Sequence, residues 1–199
     1  MSHDIDLIVT RPKLESIGSL VEEISESHHL AGRKWRASLN GVHLDLYVPY
    51  ESRLGQHLQL RTEVLIKHLD QVNDWTVLTP AAHLATKLAA LLDRPDSLPG
   101  DKDRQEIWSL LTLNVDPSEA VRVVHDASTR TADEVDQHLK DAFQYLRDLT
   151  LDRSQCQQLR TLASEWAAAS RQILEARGRG RHIEGRRSSG REPPGLGLA

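Results

Sequence analysis

The chain has 199 residues, 39% hydrophobic and 27% charged, the balance of a globular protein with room for one substantial core. Its net charge of −4 is unevenly spread: from Arg177 onward six arginines face only Glu184 and Glu192, so the body is acidic and the end basic. A single cysteine, Cys156, excludes an internal disulfide, no secretory leader opens the chain, and no apolar run reaches the ~18–20 residues that cross a bilayer, so a cytoplasmic protein with no membrane contact is expected.

Residues 3–9 (HDIDLIV) alternate polar and apolar and then run apolar, which predicts a strand with one buried face. Pro12 suits the first turn of a helix, and Leu14, Ile17, Val21 and Ile24 continue it at helical spacing, with His28 and His29 at its end. Gly32 precedes a second strand over 34–40. Asn40-Gly41 is the strongest short hairpin signal, so the alternating segment 42–48 should pair back on it. Residues 61–72 look helical through Val64, Leu65, Leu69 and Val72, and 75–78 (WTVL) reads as a short strand. Thr79-Pro80 opens a helix, a capping hydroxyl followed by proline in the first turn.

Pro95, Pro99 and Gly100 mark a loop, and helices are expected at about 101–113, 117–127, 132–149 and 153–177. Beyond Arg177 the chain is Gly, Arg, Pro and Ser with almost nothing to bury, which predicts disorder. The expected architecture is therefore α+β: a small mixed β-sheet over 1–79, a helical half over 80–177 and a basic tail over 178–199. Cys156 lies among Gln and Leu in a helical pattern and reads as a packed thiol.

The chemistry concentrates in three acids. Asp4 and Asp6 are two apart on a strand, so their carboxylates share a face and repel unless a cation sits between them. A D-x-D alone usually marks a solvated strand face. Here a third acid, Asp45, stands between Leu44 and Leu46 in the strand after the hairpin, where it can join the pair on a metal. Hard carboxylate oxygens suit Mg²⁺, and three of them fit the two-ion layout used for in-line phosphoryl chemistry. Other sites lack support: the adjacent histidines have no zinc-ligand spacing, and neither a G-x-S-x-G elbow nor a P-loop is present. Lys87 falls near the apolar stripe of its helix, where spacing alone reads it as a snorkelling lysine. Lys102 and Asp103 open a helix, where capping and dipole effects account for them.

Ser2-His3-Asp4-Ile5-Asp6-Leu7-Ile8-Val9 resembles the metal-binding strand of the nucleotidyltransferase superfamily, and more narrowly is similar to its AbiEii branch, toxins of bacterial toxin–antitoxin pairs that include the MenT toxins. His43 to Pro49 looks like that family's third-carboxylate strand. Leu78-Thr79-Pro80 with Leu84 and Lys87 to Ala90 resembles its next helix. Arg94, Lys102-Asp103 and Glu106-Ile107 with Leu110-Leu111 resemble an R…KD..DI..LL element, with Glu106 where aspartate is usual.

The resemblance spans residues 2–111 and implies a metal-dependent transfer of a nucleotide from an NTP, with two Mg²⁺ ions, to an RNA acceptor, namely the 3′ end of a tRNA. Translation is blocked as a result. It implies Asp4, Asp6 and Asp45 as metal-binding and catalytic, with Asp45 receiving the acceptor's proton. Ser2, Lys87 and Lys102 would contact the nucleotide, and Asp103 would orient Lys87. A cognate antitoxin protein is the implied partner. The family's Gly-Ser or Gly-Gly loop, which cradles the triphosphate ahead of the strand, has no counterpart before Ser2, so the alternative is a non-catalytic module that keeps the fold and binds an antitoxin-like protein.

Overall fold

The computed structural model describes residues 4–29, 32–113 and 115–187, with backbone alone for Asp4, His28, His29 and 178–187. The chain opens with β1 (Asp4–Ile8), then α1 (Arg11–Gly18), with Thr10 at its N-cap and Pro12 in its first turn. Helix α1 buries Leu14 and stops at Gly18. β2 (Glu23–His29) and β3 (Gly32–Leu39) follow as an antiparallel pair. Asn40 and Gly41, both at positive φ (51° and 76°), turn the chain into β4 (Val42–Tyr47), as this dipeptide should. The sheet order is β1-β4-β3-β2, with only β1 and β4 parallel.

The expected continuation of the first helix through Ile24, with His28 and His29 at its end, is corrected. Those residues form β2, an edge strand whose residues Glu23 to Glu26 are all exposed. It is held by its ladder to β3 rather than by a buried face, so it leaves no apolar alternation to read. Ile17 and Val21 still pack inward, and Ile24 shares their spacing by coincidence.

One face of the sheet is dry. Leu14 of α1 packs against Trp35, Ala37, Leu44, Leu46 and Val48, with Leu7, Val9, Ile17, Val21 and Val42 around them. The other face carries Asp6 of β1, Lys34 and Arg36 of β3 and Asp45 of β4, and its Ile8 packs on the helical core.

Two short strands, β5 (Arg53–Leu54) and β6 (Leu60–Arg61), lead to α2 (Thr62–Leu65). The expected helix over 61–72 is confined to this single turn. Leu69–Val72 form β7, paired with β8 (Trp75–Leu78) across a turn in which Asn73 has φ 54°. Asn73-Asp74 is the turn signal that the i, i+4 spacing of Leu65 and Leu69 obscured.

The helical half is built around α3 (Pro80–Asp93), which Thr79 caps by accepting the Ala82 N–H. Eight of its residues are buried, from Ala81 to Leu92, so it is the central helix that the others surround. Against it pack α4 (Leu98–Thr112), α5 (Pro117–Ala127) and α6 (Ala132–Tyr145), the last extended by a 3₁₀ turn over Leu146–Asp148. Helix α7 (Arg153–Arg187) closes the bundle on α5 and α6 through Leu159, Trp166 and Ala169. Helix α4 begins inside the expected Pro-Gly loop, because Ser97 accepts the Gly100 N–H and Pro99 fits the first turn. Helix α7 runs ten residues past the Arg177 end read from composition. Arg177 is anchored to Asp126 of α5 at 2.6 Å, and arginine is a good helix former. Residues 188–199 of the expected tail lie outside the described residues.

The protein is thus a mixed α/β chain, a small mixed sheet followed by a helical half. Among the described residues no helix is long and apolar enough to cross a membrane.

Gly100 has no room for a side chain: a Cβ there would overlap the carbonyl oxygens of Arg94 and Pro95. Gly100→Ala should therefore destabilise the fold by about 2–3 kcal/mol, the scale of overpacking against backbone. Denaturant unfolding is the check, and a midpoint equal to wild type would refute the close approach.

Candidate active site

The parallel pairing of β1 with β4 sets Asp6 directly opposite Asp45. In β4, Leu44 and Leu46 turn into the dry core, so Asp45 and Tyr47 turn the other way. The antiparallel pairing with β3 puts Arg36 beside Asp45. Lys34 Nζ lies 2.5 Å from Asp45 Oδ2, and Arg36 Nε 3.5 Å from Asp45 Oδ1. The Tyr47 hydroxyl donates to Asp6, and the Lys34 ammonium stands 5.8 Å from the Tyr47 ring centroid.

Burial, and then the neighbouring charge of Asp45, push the Asp6 carboxyl above the usual carboxylate range. The charges of Lys34 and Lys87 and the Tyr47 hydroxyl offset this only in part. The Tyr47 phenol is raised strongly, first by burial and then by the charges of Asp6 and Asp45, so it remains a donor. Two acids at register distance on a half-open face therefore carry a standing electrostatic cost, and lysines answer it.

The facing wall comes from α3 and α4. His83 and Lys87 are one turn apart on α3 and face away from its buried stripe. Lys87 Nζ lies 2.5 Å from Glu106 Oε2 and 4.0 Å from Asp103 Oδ1. Arg94 grips Asp103 with two bonds, Nε to Oδ2 at 2.8 Å and Nη2 to Oδ1 at 3.2 Å. The Asp103 side chain is only 2% exposed. Burial opposes the ionised form of Glu106, but Lys87 and Lys102 outweigh it and hold that carboxyl below its usual range. Burial, then the charge of Lys87, lowers the His83 imidazole. Asp6 acts electrostatically on His83 and Arg94, and Lys87 acts on Asp6, so the charges of the sheet face and of the helical half feel one another.

The structure pairs Asp6 with Asp45, and Lys87 reaches Asp6 through its charge alone. Asp103 is near Lys87 but is bound chiefly by Arg94, and Glu106 holds the lysine more closely. Lys102, about half exposed, reaches the cluster only through Glu106, at 3.5 Å. Asp4 stands opposite His43 in the register, and its side chain lies outside the described atoms, as does the whole of Ser2.

Lys34, Arg36, Tyr47 and His83 had no role in the sequence reading. Two of them were within reach of it, since an Asn40-Gly41 turn pairs Leu39 with Val42 and, counting back, Arg36 with Asp45. Lys34 then shares the face of Arg36 by the period of two.

Among the described residues no group of three His, Cys, Asp or Glu side chains is gathered as a metal-binding set. Asp6 and Asp45 make a pair of hard oxygen donors, the class that Mg²⁺ takes. A separate polar group is buried in the helical half, where Ser170 bonds both His125, at 3.3 Å, and Asp136. The serine stands between acid and imidazole, so the acid cannot orient the histidine as nucleophilic catalysis requires. No protein-family model, curated protein or solved structure matches the chain.

Removing Arg94 leaves Asp103 buried with only the 4.0 Å approach of Lys87, so Arg94→Met should cost about 3 kcal/mol of stability in denaturant unfolding. A loss too small to measure would show that the fork is slack. Glu106 titrates below its usual value in the fold, so its contribution is present above the unfolded value and is lost as pH falls through the folded one. Lys87→Met should therefore reduce the stability lost between about pH 5 and pH 3. An identical acid profile in wild type and variant would sink the assignment.

Proposed function

We propose that the chain is a metal-dependent nucleotidyltransferase of the kind its first 111 residues resemble, transferring a nucleotide from an NTP to an RNA acceptor. The single observation that carries this reading is the pairing of Asp6 with Asp45 on the charged face of the sheet, where the charge of Lys87 of α3 also acts on Asp6. Two carboxylates held together at that electrostatic cost suit a divalent ion, and Asp4, two places before Asp6, is the candidate for a third donor. A bound Mg²⁺ would neutralise phosphate charge and acidify the acceptor hydroxyl.

The chain's own groups do the rest. Lys87, 23% exposed and already the partner of an acid, is placed to take negative charge from a phosphate. Glu106 and Asp103 hold its ammonium in position. Tyr47 donates to Asp6 and fixes that carboxylate's orientation. The acceptor oxygen forms its bond to the α-phosphorus as the bond to pyrophosphate breaks, and its proton passes to Asp45. Most of the rate then comes from positioning and charge neutralisation. The arginines beyond Arg177 offer contacts to RNA phosphates, and a tRNA 3′ end with a translation block as outcome is the substrate and effect we favour.

A second reading has its own observation. Lys34 and Arg36 already balance Asp45, which is how a site would look in a module that keeps the fold, binds an antitoxin-like protein and does no chemistry.

Transfer of labelled nucleotide to total tRNA separates the two. Asp6→Asn should lower transfer about a thousandfold or more, as expected for loss of a metal-binding carboxylate. Its melting temperature without metal should stay at or above wild type, because a carboxylate that burial and Asp45 disfavour is gone. No transfer by the wild type under any divalent ion would favour the binding module.

A further inference from the structure

Lys34 is the most enclosed cation of the sheet's charged face, its side chain 15% exposed against 60% for Arg36. Its ammonium lies 2.5 Å from Asp45 Oδ2, its charge acts on Asp6, and the Tyr47 ring flanks it at 5.8 Å. One carboxylate and an aromatic ring against one ammonium, with a second carboxylate opposite Asp45 in the register, make a cation seat that already has an occupant.

The occupant is tethered but not rigid. An ammonium on a four-carbon stem swings through rotamers at low cost, and it binds as a point charge without the locked fork geometry of an arginine. Charge balance sets the consequence. With Lys34 and Arg36 against Asp6 and Asp45 the seat is neutral, and a divalent ion added on top would face uncompensated repulsion from Lys34 at close range.

We propose that Lys34 is an exchangeable counter-ion, filling the cation seat at Asp45, opposite Asp6 in the register, until a divalent ion displaces it and then passing to the phosphates of the incoming nucleotide. This rests on the metal-site reading above. The exchange favours metal and nucleotide together: the ion takes the carboxylates, and the displaced ammonium gains a polyphosphate partner whose charge the ion only partly offsets. Without nucleotide the seat stays closed by the chain's own lysine.

Titration with Mn²⁺, followed by loss of the free-ion electron paramagnetic resonance signal, tests this on the full chain. Lys34→Met should bind Mn²⁺ at least about tenfold more tightly than wild type when nucleotide is absent. A non-hydrolysable nucleoside triphosphate should tighten Mn²⁺ binding in wild type and do so much less in the variant, while Asp45→Asn should lose binding in both conditions. A folded Lys34→Met with wild-type or weaker affinity overturns the exchange and leaves the metal site standing. Failure of wild type and Lys34→Met alike to bind Mn²⁺ overturns both. Should Lys34→Met not fold, Lys34→Gln takes its place. In the unaltered protein the ¹⁵N side-chain resonance of Lys34 should then shift on adding Mg²⁺ with nucleotide, and an unmoved resonance refutes the displacement.

Discussion

Parallel pairing of β1 with β4 obliges Asp6 and Asp45 to stand side by side on the charged face of the sheet, and the charged groups around them answer that repulsion. Carboxylates at register distance cannot both ionise freely unless positive charge is brought to them. The molecule brings it from three directions: Lys34 and Arg36 from β3, and Lys87 from the helical wall. Tyr47 adds a neutral donor that burial keeps protonated.

The helical wall has its own internal order. Half-exposed Arg94 and buried Asp103 form a fork that ties the end of α3 to the start of α4, and Gly100 lets the chain pass close enough for it to form. Helix α3 is buried along most of its length, and His83 and Lys87 stand on its remaining polar strip. Lys87 therefore works between two sets of acids: Glu106 and Asp103 hold it, and Asp6 feels its charge.

The neutral state of the sheet face bears on both functional readings. Asp45 is already balanced by Lys34 and Arg36 without any ion, so charge alone does not separate an enzyme at rest from a binding module. What separates them is whether the balance can be exchanged. An ammonium on a flexible stem permits exchange, whereas a bidentate guanidinium such as that of Arg94 on Asp103 does not. The residue type seated on Asp45 is thus the informative detail of the site.

Strands with one buried face and helices with clear caps were legible in the sequence. Residues 42–48 showed their alternation, Asn40-Gly41 its turn, and Thr79-Pro80 its helix start, because each signal is local and its cause lies within a few residues. β2 and β7 were not legible, since both are exposed strands held by a neighbour's backbone rather than by a buried stripe, and their sparse apolar residues fell at helical spacing.

Of the site, the sequence by itself determined the acids and their strand parity, which follow from the period of two. Tertiary structure alone decided the partners: that Arg94 rather than Lys87 grips Asp103, that Glu106 holds Lys87, and that Tyr47 donates to Asp6. Those contacts join elements far apart in the chain, and their identity depends on where whole helices come to rest against the sheet. Spacing along one strand or helix carries no information about that.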